Sequence, residues 1–187
     1  MKKIRITFNA PVVLGFSLCC LLATFLGIMT NGFTNRVFFS VYRSPYTDLL
    51  SYVRLFLHVF GHVSWEHFAG NITMILLIGP LLEEKYGSKI IFKVILITAL
   101  VTGIIHCIFS PGVQLLGASG VVFAFIVLSS ITSAGRGEIP LTFILIVVIY
   151  LGGQIYDILF IQDEISNLTH IIGGLIGGVF GLYITKK

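Results

Sequence analysis

Charged residues are missing from five long stretches of the chain, 6–35, 67–82, 94–135, 139–156 and 165–185, none of which contains Asp, Glu, Lys or Arg. Each is near the roughly 20 apolar residues needed to cross ~30 Å of hydrocarbon, except 94–135, which is about twice as long. That run is interrupted by Ser110-Pro111-Gly112, a turn signal among helix-compatible apolar residues. The pattern predicts six helices near residues 11–31, 65–83, 90–109, 119–134, 140–156 and 167–185. The fold expected is an all-α membrane protein, a six-transmembrane-helix bundle with a long interfacial loop between helices 1 and 2. One domain covers 1–187, with a short cytoplasmic tail over 1–8.

The connection 32–64 is far longer than the few residues that usually join neighbouring helices. It interleaves Phe38, Phe39, Tyr42, Tyr46, Tyr52 and Phe56 with Arg36, Arg43, Asp48 and Arg54. Aromatic and basic residues together favour the headgroup zone, so the connection is expected to lie there as short amphipathic helices.

Composition agrees with a lipid solvent and excludes an ordinary soluble domain: 56% hydrophobic and 11% charged residues, with a mean hydropathy of +1.01. Six spans place Lys2, Lys3, Arg5, Lys85, Lys89, Lys93, Arg136, Lys186 and Lys187 on one side, and only Arg36, Arg43 and Arg54 on the other. The excess puts both termini in the cytoplasm of a multi-pass membrane protein. The net charge of +4 is thereby accounted for without a nucleic-acid partner. The start, Met1 to Arg5, resembles the charged beginning of a signal peptide, but no small-residue cleavage site closes the first apolar run, so a retained helix is expected. Cys19, Cys20 and Cys107 fall within predicted spans and show no metal-ligand or disulfide spacing.

Polar groups at membrane depth are costly and mark function. Here they are His67, Asn71, His106, Ser119 and His170. The predicted topology sets His67, Asn71, Ser119 and His170 at the extracytoplasmic ends of their helices. His170 shares a helical face with Gly173, Gly174, Gly177, Gly178 and Gly181, and such small-residue faces let helices approach closely. Gly120 and Ala124 offer a similar surface after Ser119. Glycine stripes ordinarily mean packing alone, and a lone histidine near a helix end is ordinarily structural. Their coincidence in depth is what points to a nucleophile and its base. The fourth span, about 17 residues or ~26 Å, is short enough to sink Ser119 below the outer surface. Its N-terminus offers free backbone N–H groups and a positive dipole end. His67 and Asn71, one turn apart, could complete an oxyanion hole with the Ser119 backbone N–H. His106 is read as an interfacial residue or one making a local hydrogen bond.

These residues resemble the rhomboid family of intramembrane serine proteases. The string from His58 through His62 and His67 to Asn71 is similar to that family's second-span signature. Gly117-Ala118-Ser119-Gly120 resembles its GxSG nucleophile motif, and Asn167-Leu168-Thr169-His170 with Gly173 and Gly177 resembles its last helix. The resemblance implies a bacterial plasma-membrane endopeptidase, free of metal and other cofactors, that cleaves single-span membrane proteins in or next to their transmembrane segment. Ser119 and His170 would form its catalytic dyad, with an active site opening to the extracytoplasmic side and His67 and Asn71 supporting the oxyanion. Its partners would be transmembrane protein substrates and the lipid bilayer. Asp163 and Glu164 leave room for a third member. Arg54 and Glu83 match positions used in loop organisation, and Gly117, Gly120, Gly173 and Gly177 are structural. Two departures stand out. Val53 replaces the usual tryptophan before Arg54, and Phe123 replaces a tyrosine that packs on the catalytic imidazole, where a phenyl ring can still stack.

Three other readings compete. His58, His62 and His67 are close enough to suggest a metal enzyme, but no carboxylate or cysteine completes a set. A catalytically dead relative would normally lack the serine or the histidine. A small transporter would show internal symmetry and midplane polar sites. Gly152-Gly153-Gln154 in the fifth span fits either lateral substrate access or packing.

Overall fold

The computed structural model describes residues 7–131, 139–152 and 164–185. The predicted ends of the fourth and fifth spans, together with Gly153, Gln154, Arg136, Asp163 and the lysines at both termini, lie outside the described residues. Among the described residues the chain is helical, with no strand: α1 (Pro11–Met29), α2 (Phe33–Val37), α3 (Leu49–Leu57), α4 (Trp65–Tyr86), α5 (Ser88–Phe109), α6 (Ser119–Ile131), α7 (Leu141–Ile146) and α8 (Glu164–Thr185). A π-helical turn, Val147–Leu151, continues α7.

The long helices start where their caps dictate. Pro11 opens α1, and its missing N–H leaves Val12 and Val13 as the first backbone donors. Both donate to Glu83, at 3.0 Å to Oε1 and 2.9 Å to Oε2, and the Ser88 hydroxyl donates to Oε1 at 2.7 Å. A buried carboxylate thus caps a helix N-terminus, where its charge also meets the favourable end of the dipole. The Ser64 hydroxyl caps α4 by accepting from the His67 N–H at 3.2 Å. Downstream, α4 runs past the apolar segment to Tyr86 and stops at Gly87, whose φ of +81° favours glycine. Hydropathy marks what hydrocarbon tolerates, whereas hydrogen bonding decides where a helix ends, so the helix outlasts its apolar run.

The bundle buries polar side chains within an apolar core and is apolar without. Thr24, Asn35, Asn71, Glu83, Thr98, Thr102 and Ser130 are buried, while Leu22, Leu77, Leu81, Ile108 and Val179 are more than half exposed or close to it. Such an apolar exterior suits hydrocarbon rather than water. Two helices, Pro11–Met29 and Ser88–Phe109, are long and apolar enough to cross a bilayer by length and composition. The central element is α6, where 11 residues are buried. Because it is enclosed on all sides, its sequence is apolar all round and shows no polar face.

The connection between α1 and α4 carries α2 and α3 and is built around Arg54. That side chain is buried. It pairs with Asp48, donates to Ser44 Oγ at 2.9 Å and the Val37 carbonyl at 3.4 Å, and lies 4.5 Å above the Tyr42 ring centroid. Asp48 also caps α3, accepting from the Leu50 N–H at 3.0 Å. Arg54 therefore organises the connection, whereas Glu83, expected to share that role by resemblance, instead fastens α1 to the end of α4. Val41 and Leu115 exchange two backbone hydrogen bonds of 2.9 Å, tying this connection to the segment before α6.

Candidate functional site

Ser119 and His170 are brought together by the seam between α6 and α8. A Cβ placed on Gly173 would lie 2.1 Å from the Gly120 carbonyl oxygen, and one on Gly177 would lie 2.1 Å from that of Ala124. Side chains never approach backbone oxygens so closely, so these helices touch main chain to main chain only because both positions are glycine. The two contacts advance by one helical turn in the same sense on both helices, which means that α6 and α8 run parallel. Ser119 immediately precedes Gly120, and His170 lies about one turn before Gly173. The seam delivers both to the same end of the bundle. Each is half-buried.

Phe123, one turn after Ser119, stacks on the His170 imidazole with ring centroids 4.3 Å apart and planes within 11°. Offset or parallel aromatic contact of this kind limits the tilt of an imidazole without a hydroxyl. Thr169, beside His170, sets its methyl 3.3 Å from where a Gly120 Cβ would be.

The other wall comes from α4. Gly117 adopts φ +134°, and a Cβ there would lie 2.8 Å from His67 Cε1, 3.0 Å from His67 Nε2 and 3.8 Å from Asn71 Nδ2. Glycine is needed at 117 twice over, for its backbone conformation and for the space the imidazole takes. His67 and Asn71 therefore face the turn that leads into Ser119. Asn71 is 91% buried by its 9% exposure, and its Nδ2 makes no hydrogen bond to a described residue. A buried amide donor without a partner costs about 1–3 kcal/mol, which is the signature of a group held ready for something else.

His58 and His62, which spacing offered as metal ligands, are committed to backbone support. The Gly117 N–H donates to the His58 carbonyl at 2.9 Å. The Ala118 N–H donates to His62 Nε2 at 3.4 Å, while His62 Nδ1 lies 3.1 Å from the Phe60 carbonyl and 3.3 Å from Thr24 Oγ1. A carbonyl can only accept, so Nδ1 carries the proton and Nε2 is the lone-pair acceptor. The His58 ring meets Thr102 Oγ1 through Nε2 at 3.3 Å, and that hydroxyl donates onward to the Thr98 carbonyl at 2.7 Å. Both rings lie in the connection and are fully enclosed. Burial lowers the pKa of each to about 4, with Arg54 and Leu55 backbone contacts opposing it at His58, and the neighbouring His67 adding to it at His62. Both are neutral at physiological pH. No three His, Cys, Asp or Glu side chains among the described residues converge to hold a metal.

These two supports were missed by sequence reasoning, because the bonds they make join residues more than fifty positions apart. His106, by contrast, makes a local bond: its Nε2 lies 2.9 Å from the Val113 carbonyl and braces the same segment before α6.

A sequence model of the Rhomboid domain matches residues 50–187. The chain is 26% identical over 180 residues to Rhomboid protease GlpG of Serratia proteamaculans (strain 568), covering 94% of this chain and 63% of that protein. It is 27% identical over 137 residues to Rhomboid-related protein 1 of Caenorhabditis elegans, covering 68% of this chain and 38% of that protein. The chain thus spans less than two thirds of the length of either relative. The domain match takes in α4, α6 and α8, the elements that carry His67, Asn71, Ser119 and His170, and makes this an integral membrane protein: the chain belongs to the rhomboid family.

Proposed function

We propose that the chain is an intramembrane serine endopeptidase, a single rhomboid domain that cuts single-span membrane proteins in or next to their transmembrane segment. The observation that carries this reading is the parallel glycine seam, which sets Ser119 and His170 at one end of the bundle opposite the Asn71 amide, whose Nδ2 has no partner among the described residues.

In the proposed mechanism the Ser119 hydroxyl attacks the scissile carbonyl carbon while the His170 imidazole takes its proton. The tetrahedral oxyanion is held by Asn71 Nδ2, the His67 imidazole N–H and the backbone N–H of Ser119, which has no intrahelical acceptor at the first position of α6. Collapse breaks the C–N bond as His170 returns the proton to the leaving amine. A water then attacks the acyl ester, His170 again serving as base, and free Ser119 is restored. A dyad suffices for each of these proton transfers, so no cofactor is required. Phe123 keeps the imidazole plane aligned through the cycle. In low dielectric, the oxyanion donors act more strongly than they would in an open aqueous cleft.

The proposed topology has six spans, both termini in the cytoplasm and the site opening to the extracytoplasmic side. It is supported by the distribution of Lys and Arg. The bacterial plasma membrane is the proposed location.

The test is a paired assay in liposomes with a generic single-span substrate and a fluorophosphonate probe. Wild type is expected to cut and to be labelled, Ser119→Ala to do neither, and His170→Ala to lose cleavage. Labelling that persists in Ser119→Ala would place the nucleophile elsewhere. Cleavage that persists in Ser119→Ala and vanishes with a chelator would replace the serine mechanism by a metal one.

A further inference from the structure

A cavity of about 600 Å³ opens between α3 with the segment preceding it and the last turns of α5, at the same end of the bundle as Ser119. Its two walls differ in chemistry. One is aliphatic, formed by Leu55 with Ile104 and Ile108, which lie one turn apart on α5 and are 42% and 60% exposed. In a membrane protein, an exposed aliphatic pair on a spanning helix faces acyl chains. The other wall carries Arg43, Tyr46 and Tyr52, the residue types that collect at headgroup level.

Arg43 is what gives the cavity a specific occupant. Its neighbour in the connection, Arg54, is consumed by Asp48, Ser44 and the Tyr42 ring. Asp48 is the only carboxylate between residues 32 and 64, and it is spent on Arg54 and on capping α3. Arg43 is exposed and makes no ion pair or hydrogen bond among the described residues. An uncompensated guanidinium therefore stands over a trough whose floor is lipid-facing. Its fork of donors matches a phosphodiester, and the volume suits part of one small amphiphile.

We infer that this cavity binds one membrane glycerophospholipid, with its phosphodiester on Arg43 and an acyl chain along Ile104 and Ile108. The site is separate from the proposed dyad and requires none of its residues. A lipid held there would brace the connection that, through Val41 and Leu115, is tied to the segment before Ser119.

The experiment uses the full chain in detergent micelles with palmitoyl-oleoyl phosphatidylglycerol as probe. Native mass spectrometry follows retained lipid, and maleimide alkylation follows Cys107, which also lines the cavity. One lipid is expected to be retained and to protect Cys107. Arg43→Gln should weaken retention about tenfold, the equivalent of one charge-assisted contact, and Ile108→Trp should displace the lipid by filling the trough. Arg36→Gln, exposed in the same connection but away from the cavity, should behave as wild type. Equal losses in Arg36→Gln and Arg43→Gln would reduce the effect to surface charge and overturn the site. So would unchanged retention in Arg43→Gln, or equal protection of Cys107 by glycerol phosphate, which has no acyl chain. Protection of Cys107 that rises with protein concentration in the absence of lipid would assign the cavity to a second copy instead.

Discussion

The two walls around Ser119 are built on opposite principles. The wall shared with α8 is held by shape: Gly120 and Ala124 meet Gly173 and Gly177 through main-chain contact, with Phe123 flat against His170. The wall shared with α4 and its preceding turn is held by polar satisfaction, with the N–H groups of Gly117 and Ala118 donating to the His58 carbonyl and the His62 ring. Shape resists sliding and is indifferent to pH. Polar support tolerates small changes of volume but depends on protonation state. The proposed nucleophile and its proposed base thus sit on the wall that chemistry cannot loosen, and the proposed oxyanion donors on the wall that it can.

Adding bulk should break the first wall and spare the second. Gly173→Val puts a Cβ, further branched, 2.1 Å from the Gly120 carbonyl oxygen, where backbone cannot yield as a side chain would. A loss of about 3 kcal/mol, at the upper end for overpacking, is expected together with loss of cleavage. Unfolding in mixed micelles measures it. Asn71→Ala attacks the second wall without disturbing its fold, since Nδ2 makes no hydrogen bond to a described residue. Catalytic turnover should fall about 10²–10³-fold, as for other single oxyanion donors, with an unfolding midpoint that does not fall. A matching fall in stability would make Asn71 structural.

Acid should separate the walls more gently. His58 and His62 titrate near 6.5 when unfolded and about 4 when folded, so between those values the unfolded chain binds more protons. Their contribution to stability is complete above about pH 6.5 and is lost progressively as pH falls towards 4. Protonating His62 Nε2 also removes the acceptor of the Ala118 N–H. Protease susceptibility measured from pH 7 to 4 should rise in wild type, and the rise should shrink in His62→Gln; an equal rise would remove His62 as its source. The smallest effect is expected for Phe123→Leu, which removes a stacking contact of about 0.5–1.5 kcal/mol. Cleavage should drop several-fold without change in fluorophosphonate selectivity, and Phe123→Tyr should retain full activity.

Much of this arrangement was legible in the chain itself. Long uncharged runs located the helices, and the spacing from His170 to Gly181 drew attention to a face fit for close packing. The common end of Ser119 and His170 was read instead from the alternation of the predicted spans, and the small-residue faces added only that two helices could approach closely there. The supports from His58 and His62 were not legible. Each acts on a backbone N–H more than fifty residues away, and no side-chain pattern at positions 117 and 118 advertises the partner. Glu83 was marked as structural, but its partner was hidden for the same reason. It reads as the charged end of an apolar helix, yet its carboxylate closes the first turn of another helix some seventy residues earlier in sequence.

The glycine seam has a mechanical corollary. Two rows of carbonyl oxygens and glycine hollows, repeating every four residues, mesh like a rack and allow no intermediate settings. The smallest slip is one tooth, four residues or about 6 Å, enough to carry a hydroxyl out of hydrogen-bond reach of an imidazole. In the proposed reaction, a substrate segment arriving from the bilayer must therefore be admitted without shearing α6 along α8, and the two helices travel as one rigid piece.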